Sequence, residues 1–197
     1  ARRAIDDLLV VKDDMAYCQP CVSPVWDTGL ACLALQECGD EDREAVTRGL
    51  DWLKDLQLLD EPGDWRTEHP DLPGGGWAFQ YENAYFPDLD DTAVVGWAMH
   101  RSPEREHFDT AIERAADWLR GMQSSNGGFA AFDSDNTHDR LNEIPFADHG
   151  ALLDPPTSDV SARCAALFGQ LGRGRDADAL GRVVAFLRRE QETDGSW

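Results

Sequence analysis

At 197 residues the chain can bury a substantial core as one domain or form a piece of a larger one. Its formal charge of −20, from 38 acidic residues against 18 Lys and Arg, excludes general binding to a phosphate backbone, so nucleic acid is not an expected partner. With 42% hydrophobic and 28% charged residues, the balance is that of a packed globular fold and not of a disordered acidic tail.

Residues 1–14 read as the tail of a helix followed by a charged turn at Lys12-Asp13-Asp14, and residues 1–22 as a linker or the end of a preceding domain. Ser23-Pro24-Val25-Trp26-Asp27-Thr28 then leads into an apolar helix, Gly29 to Cys38, stopped at Gly39 and expected to be buried all round. Arg43 to Gln57 carries Val46, Leu50, Leu53 and Leu56 on one face, the pattern of an amphipathic helix. Gly63-Asp64-Trp65 follows, and Asp71-Leu72-Pro73-Gly74-Gly75-Gly76 is too rich in breakers for regular structure. A second apolar helix is predicted from Asp91 to Met99. An amphipathic one runs from Phe108 to Gln123, with Ile112, Ala115, Ala116, Leu119 and Met122 at helical spacing. The third apolar helix opens at Asp159 and runs to Leu171-Gly172. Its amphipathic partner carries Leu180, Val183, Val184 and Leu187 and ends in Gln191, Gly195, Ser196 and Trp197.

The order is a repeat. Helix-opening aspartates fall at 27, 91 and 159, separated by 64 and 68 residues, and glutamines fall at 57, 123 and 191, separated by 66 and 68. Each glutamine lies five residues after an aromatic, Trp52, Trp118 or Phe186. The expected fold is all-α: a solenoid or α/α toroid of inner apolar and outer amphipathic helices, in units of about residues 27–65, 91–129 and 159–197. A glutamine at a helix end can bond free backbone groups of the next turn and clamp one unit to its neighbour, which is a structural role for the Gln-x3-Gly-x-aromatic ends. The spacing is looser in the first copy, between Gln57 and Gly63.

Chemistry concentrates at Asp88-Leu89-Asp90-Asp91, downstream of Trp77, Phe79, Tyr81, Tyr85 and Phe86. If Asp91 or its neighbour caps the helix, Asp88 and Asp90 share a small space beside it, and like charges with apolar surroundings raise the pKa of at least one carboxyl. A carboxylic acid that keeps its proton near neutral pH, facing aromatic rings, can protonate a weakly basic apolar substrate whose cation those rings stabilise. An acidic loop with one helix cap is the plainer reading. By the repeat, Asp159 is the counterpart of Asp91 and Asp27, all three at one mouth of the helix ring, and Arg163 stands at i+4 from Asp159. Capping alone would account for Asp27.

Other groups point to no metal. Cys18-x2-Cys21 stands alone, and the odd number of cysteines fits reduced thiols in a cytosolic setting. Asp133-Ser134-Asp135-Asn136 with Asp139 begins like a calcium loop but lacks the later glycine and glutamate, and reads as a rigid polar loop. The five histidines form no i, i+4 pair and are expected on surfaces or loops. No apolar run approaches a membrane span, and the N-terminus lacks the form of a signal peptide.

Taken together, Asp88-x-Asp90-Asp91-Thr92, SPVWDTG at 23–29, GGGWAFQ at 74–80, GMQSSNGGF at 121–129, the DPP-x-x-D stretch ending at Asp159 and the repeated Gln-x3-Gly-x-Trp ends resemble the triterpene cyclases, most closely the bacterial squalene-hopene cyclases. The resemblance covers essentially the whole chain and implies an internal fragment, with residues 23–197 forming part of the second, catalytic α/α barrel of a two-barrel enzyme. It implies cyclisation of squalene to hopene or hopanol, an intramolecular transfer initiated by a proton. Asp90 would be the acid, Asp88 and Asp91 its carboxylate neighbours, and Asp159 and Arg163 members of the network that keeps it ready. Trp26, Asp27, Phe79, Phe129 and Phe132 would be substrate-side residues, and no cofactor or metal is implied. The complete protein would sit as a monotopic protein on the cytoplasmic side of a bacterial cytoplasmic membrane, with a homodimer left open.

Two positions depart from the family pattern, which places His where Arg163 stands and Tyr where Phe132 stands. A permanently charged arginine directly on Asp90 would lower its pKa, so Arg163 is expected to pair with Asp159 or Asp88 instead. The rival readings are a class II diterpene cyclase acting on a prenyl diphosphate, an α/α-barrel glycosidase with paired carboxylates, and a helical-repeat binding module.

Overall fold

Val10 and Val11 are β-branched and precede a two-residue turn in which Asp13 takes a left-handed conformation, φ 46°, that Asp tolerates better than most residues. Strands β1 (Leu9–Lys12) and β2 (Met15–Cys18) therefore pair antiparallel, with Lys12 opposite Met15. The expected turn at Lys12-Asp13-Asp14 is there, but it joins strands and does not follow a helix. The computed structural model describes residues 9–18, 22–39, 42–136, 139–144 and 153–197. Residues 1–8, where the rest of that helix was expected, lie outside them, as do Cys21, His138 and His149.

The helices follow the sequence pattern closely. Pro24 fits the first turn of α1 (Pro24–Cys38), where its missing N–H costs nothing, so the helix begins five residues before the predicted Gly29. The others are α2 (Arg43–Asp55), α3 (Leu89–Arg101), α4 (Asp109–Gly121), α5 (Ser158–Leu171) and α6 (Ala177–Glu190). The inner helices α1, α3 and α5 pack side by side with α3 in the middle, and α2, α4 and α6 each pack on the inner helix that precedes them. Central position explains why α3 is buried almost throughout, from Leu89 to Met99. The expectation that α1 is buried all round does not hold: Val25, Gly29 and Cys32 are buried, but Leu30 is exposed, because among the described residues only one flank of α1 is covered by another inner helix.

The glutamines clamp neighbouring units. Gln57 Nε2 donates to the Gly75 carbonyl at 2.8 Å and to the Ala111 carbonyl of α4 at 2.9 Å. Gln123 Nε2 does the same to Gly127 at 2.9 Å and to Ala179 of α6 at 3.0 Å. The first unit therefore closes at Gly75-Gly76-Trp77, and the looser spacing to Gly63 reflects an insertion between Gln57 and its true partner. Gly75 and Gly127 are glycines for a steric reason: a Cβ at either would collide with a backbone carbonyl of the next outer helix, Arg114 or Arg182. Trp65 instead enters the core, edge-on to Trp118 with centroids 5.9 Å apart.

Candidate functional site

The residue before Leu89 is extended (Asp88, φ −115°, ψ 153°) because its N–H bonds the Trp77 carbonyl at 2.8 Å. That turns its carboxylate back over the helix start, where Oδ1 accepts the Asp91 N–H at 2.7 Å. The cap of α3 is thus Asp88, not Asp91, and the helix opens two residues before the predicted start. Thr92 locks the same turn: its hydroxyl donates to the Asp88 carbonyl at 2.6 Å and accepts the Trp77 N–H at 3.0 Å. Ser161 likewise accepts the Phe129 N–H at 2.9 Å, and the Thr157 N–H bonds the Phe129 carbonyl at 3.1 Å. These matched bonds set the register between α3 and α5. Thr157 corresponds to Asp88, so Asp159 corresponds to Asp90 and not, as the sequence spacing suggests, to Asp91.

Burial controls the electrostatics. Asp88 and Asp91 are 3% and 4% exposed. Burial, and then the Asp91 charge beside it, holds the Asp88 carboxyl well above the usual carboxylate range. Burial carries Asp91 up to about 7, with the Asp90 and Asp27 charges adding to it, and Asp91 Oδ1 has no hydrogen-bond partner among the described residues. Asp90 keeps 23% of its side chain exposed. Its carboxyl is also raised, by burial first and by the Asp159 charge, against the opposing pull of Arg163. The Asp159 carboxyl is lowered, chiefly by the Thr157 hydroxyl that donates to it at 2.6 Å.

Arg163 pairs with Asp159, as expected, and also with Asp90, which was not expected. Its Nη1 donates to Asp90 Oδ1 at 2.9 Å and to Asp159 Oδ2 at 3.3 Å, so it sits directly on the candidate acid. The objection that an arginine there would abolish acid character is answered by relative size: desolvation of Asp90 outweighs the guanidinium, and the net displacement is upward. One carboxyl oxygen of Asp90 is thereby engaged.

The aromatic set divides. Phe79 and Phe132 line a depression of about 240 Å³ with Gln80, Asn83 and Phe86. That is below the roughly 300–1,000 Å³ of small-molecule sites, so these residues form part of a wall and not a complete pocket. Trp26 is half-buried beneath the Arg163 guanidinium. Phe129 does not join them: it is fully buried against Phe168, centroids 6.0 Å apart, because Ser161 and Thr157 pin its backbone to the start of α5. Asp27 is exposed in the first turn of α1, and its charge helps raise the Asp91 carboxyl.

Sequence reasoning passed over Asp154. Its carboxylate accepts the Phe132 N–H at 2.8 Å and orients the loop that carries that ring. The adjacent Ala131 carbonyl accepts the Leu89 N–H at 2.7 Å, tying the loop to the first residue of α3. The signal was a lone acid before Pro155-Pro156, which only the fold connects to Phe132. Among the described residues no group of His, Cys, Asp and Glu is arranged to hold a metal ion.

The sequence that builds three carboxylates at the start of a buried helix, inside a glutamine-clamped helix-pair repeat, is similar to those of known proteins. Residues 22–197 match the model of the squalene-hopene cyclase C-terminal domain. The chain belongs to the squalene-hopene cyclase family. It is 55% identical over 202 residues to the squalene-hopene cyclase of Bradyrhizobium diazoefficiens, matching all of this chain and 30% of that protein. It is 52% identical over 204 residues to that of the fungus Schizosaccharomyces japonicus, matching 98% of this chain and 31% of the relative. To that of Zymomonas mobilis it is 50% identical over 208 residues, covering all of this chain and 32% of the relative. The chain therefore spans less than a third of the length of these squalene-hopene cyclases. No described helix is long and apolar enough to cross a membrane.

Proposed function

We propose that this chain carries the initiating acid of a squalene-hopene cyclase, and that the complete protein converts squalene to pentacyclic hopanoids, hopene or hopanol. The observation that carries the reading is Asp90: a carboxyl raised by burial, 23% exposed, with Arg163 fixed on Oδ1. With Oδ1 engaged, the proton belongs on Oδ2. A double bond placed there takes the proton through its π electrons, leaving a tertiary cation at the adjacent carbon and the carboxylate on Asp90. The guanidinium compensates the carboxylate charge as it forms, which is stabilisation needed in the transition state more than in the ground state. Successive double bonds then attack the cation in turn. The ring faces of Phe79 and Phe132 are suited to stabilise positive charge near the first ring, while the Trp26 ring faces the Arg163 guanidinium. The final cation loses a proton or captures water.

Phe132 offers a ring face without a hydroxyl, so its part is limited to cation contact. A substrate as apolar as squalene resides in the bilayer, and we place the complete protein on the cytoplasmic face of a bacterial cytoplasmic membrane as a monotopic protein. The central experiment is Asp90→Asn in the complete protein, with products extracted and separated by chromatography. The amide keeps the shape but has no acidic proton, so conversion of squalene should vanish while the circular dichroism spectrum is unchanged. Turnover near wild type would remove Asp90 from the role of acid.

A further inference from the structure

The Trp26 ring is more than a wall of the site. The Arg163 guanidinium carbon stands 5.2 Å from its centroid, within range of a cation–π contact. The same guanidinium reaches Asp90 and Asp159. Trp26 belongs to α1, Asp90 to α3 and Arg163 to α5, so three successive inner helices each contribute one side chain to a single chain of contacts. Both α1 and α5 pack on α3.

Arg163 has a reason to leave Asp90. Its side chain is 36% exposed, and Asp159, one turn away on the same helix, is 66% exposed and held in its charged form. A solvated pairing with Asp159 alone would satisfy the cation and release its long side chain from one geometry. Something must hold it inward, and the ring of Trp26 is the group in position to do so.

We propose that Trp26 is a positioning residue whose ring holds Arg163 on Oδ1 of Asp90, so that the first inner helix sets the acid carried by the second through an arginine of the third. The proposal rests on the reading of Asp90 as the acid. The titratable and charged groups around this contact are Asp88 and Asp91 on α3, Asp27 on α1, Asp159 and Cys164 on α5, and Asp154 before α5. Among them Arg163 is the cation, so its position decides how far the surrounding negative charge acts on Asp90.

The sign is definite. With Arg163 drawn away, the charged form of Asp90 loses its stabilising partner, its pKa rises further, and it becomes a weaker acid that stays protonated to higher pH. Loss of the ring should therefore lower the maximal rate and move the alkaline limb of the pH–rate profile upward. A ring that only touches substrate would lower the rate or raise KM without moving the limb. Histidine in place of Arg163 would lose its charge as pH rises, whereas the arginine does not.

The test uses the complete protein with squalene, comparing Trp26→Leu, Trp26→Phe, Arg163→Met and the double variant Trp26→Leu/Arg163→Met. Trp26→Leu should lower kcat about tenfold, the scale of a partly desolvated cation–π contact, and shift the alkaline limb upward. Trp26→Phe, with a weaker ring face, should give a smaller shift in the same direction. In the Arg163→Met background, Trp26→Leu should have little further effect on kcat, because the ring acts through the arginine. An unshifted limb in both Trp26 variants, or a full tenfold loss in the Arg163→Met background, would overturn the proposal. If Trp26→Leu fails to fold, the limb of Trp26→Phe decides alone. Activity of Asp90→Asn would instead refute the acid assignment itself, an outcome separate from any of these.

Discussion

Gln123 allows the inter-unit clamp to be measured against a reference within the same chain. Replacing it by Met keeps side-chain length and removes the two hydrogen bonds from Nε2 to Gly127 and Ala179. Each bond between neutral groups contributes about 0.5–1.5 kcal/mol net, so the loss is roughly 1–3 kcal/mol. Against this, Gln123 Oε1 is buried with no partner among the described residues, and removing it relieves a desolvation cost of about 1 kcal/mol or more. The expected balance is a destabilisation of up to about 2 kcal/mol, a fall in Tm of up to roughly 4–8 °C for a chain of this size. Gln191 occupies the same position in the third unit, but among the described residues its Nε2 bonds only Gly195, and the residue is exposed. Gln191→Met should shift Tm by no more than about 2 °C. Thermal unfolding followed by circular dichroism at 222 nm compares the two variants with the parent chain. Equal shifts would show that the bond to the neighbouring outer helix contributes nothing and would refute the clamp.

The remaining predictions concern packing, pH and the arginine. Gly75→Ala should destabilise by about 1–3 kcal/mol, since its Cβ would meet the Arg114 backbone carbonyl, whereas Gly169→Ala, with open space around it in α5, should stabilise by about 0.5–1 kcal/mol; denaturant titration checks both. Asp91 binds its proton more tightly folded than unfolded, so the stability it contributes is complete below the ordinary carboxylate range and is lost as pH rises to about 7. Asp91→Asn should accordingly raise Tm relative to the parent at pH 8 more than at pH 4, and the same difference at both would refute the assignment. On squalene, Arg163→His in the complete protein should retain substantial activity at pH values where the imidazole is protonated, while Arg163→Leu should lose far more; superimposable pH–rate profiles of these two and the parent would show that Arg163 has no part in setting the acid.

Several features of the molecule are legible in residue order alone. Helical periodicity located all six described α-helices, because each must bury an apolar stripe and the stripe recurs every three or four residues. The spacing of the glutamines announced the repeat, since each unit needs the same clamp at the same place. The crowding of Asp88, Asp90 and Asp91 pointed to the candidate site, because like charges that close in sequence cannot be far apart in space. Breaks in local pattern misled where local pattern is a weak constraint: Val10 and Val11 belong to a hairpin, and Asp88, rather than Asp91, caps α3.

What tertiary structure alone decided are contacts between residues far apart in the chain. The partner of Gln57 is Gly75, across an insertion, because clamp geometry depends on where the next outer helix lies and not on a count of residues. Equal spacing placed Asp159 opposite Asp91, but the hydroxyls of Thr92 and Ser161 shift the register and bring Asp159 level with Asp90. Phe129 faces inward because its backbone is pinned at both ends, information that no property of the phenylalanine itself carries. The choice of Arg163 between Asp88, Asp90 and Asp159 was a matter of ångströms. Desolvation, which decides whether an acid beside an arginine keeps its proton, is a property of the assembled surroundings and of no single residue.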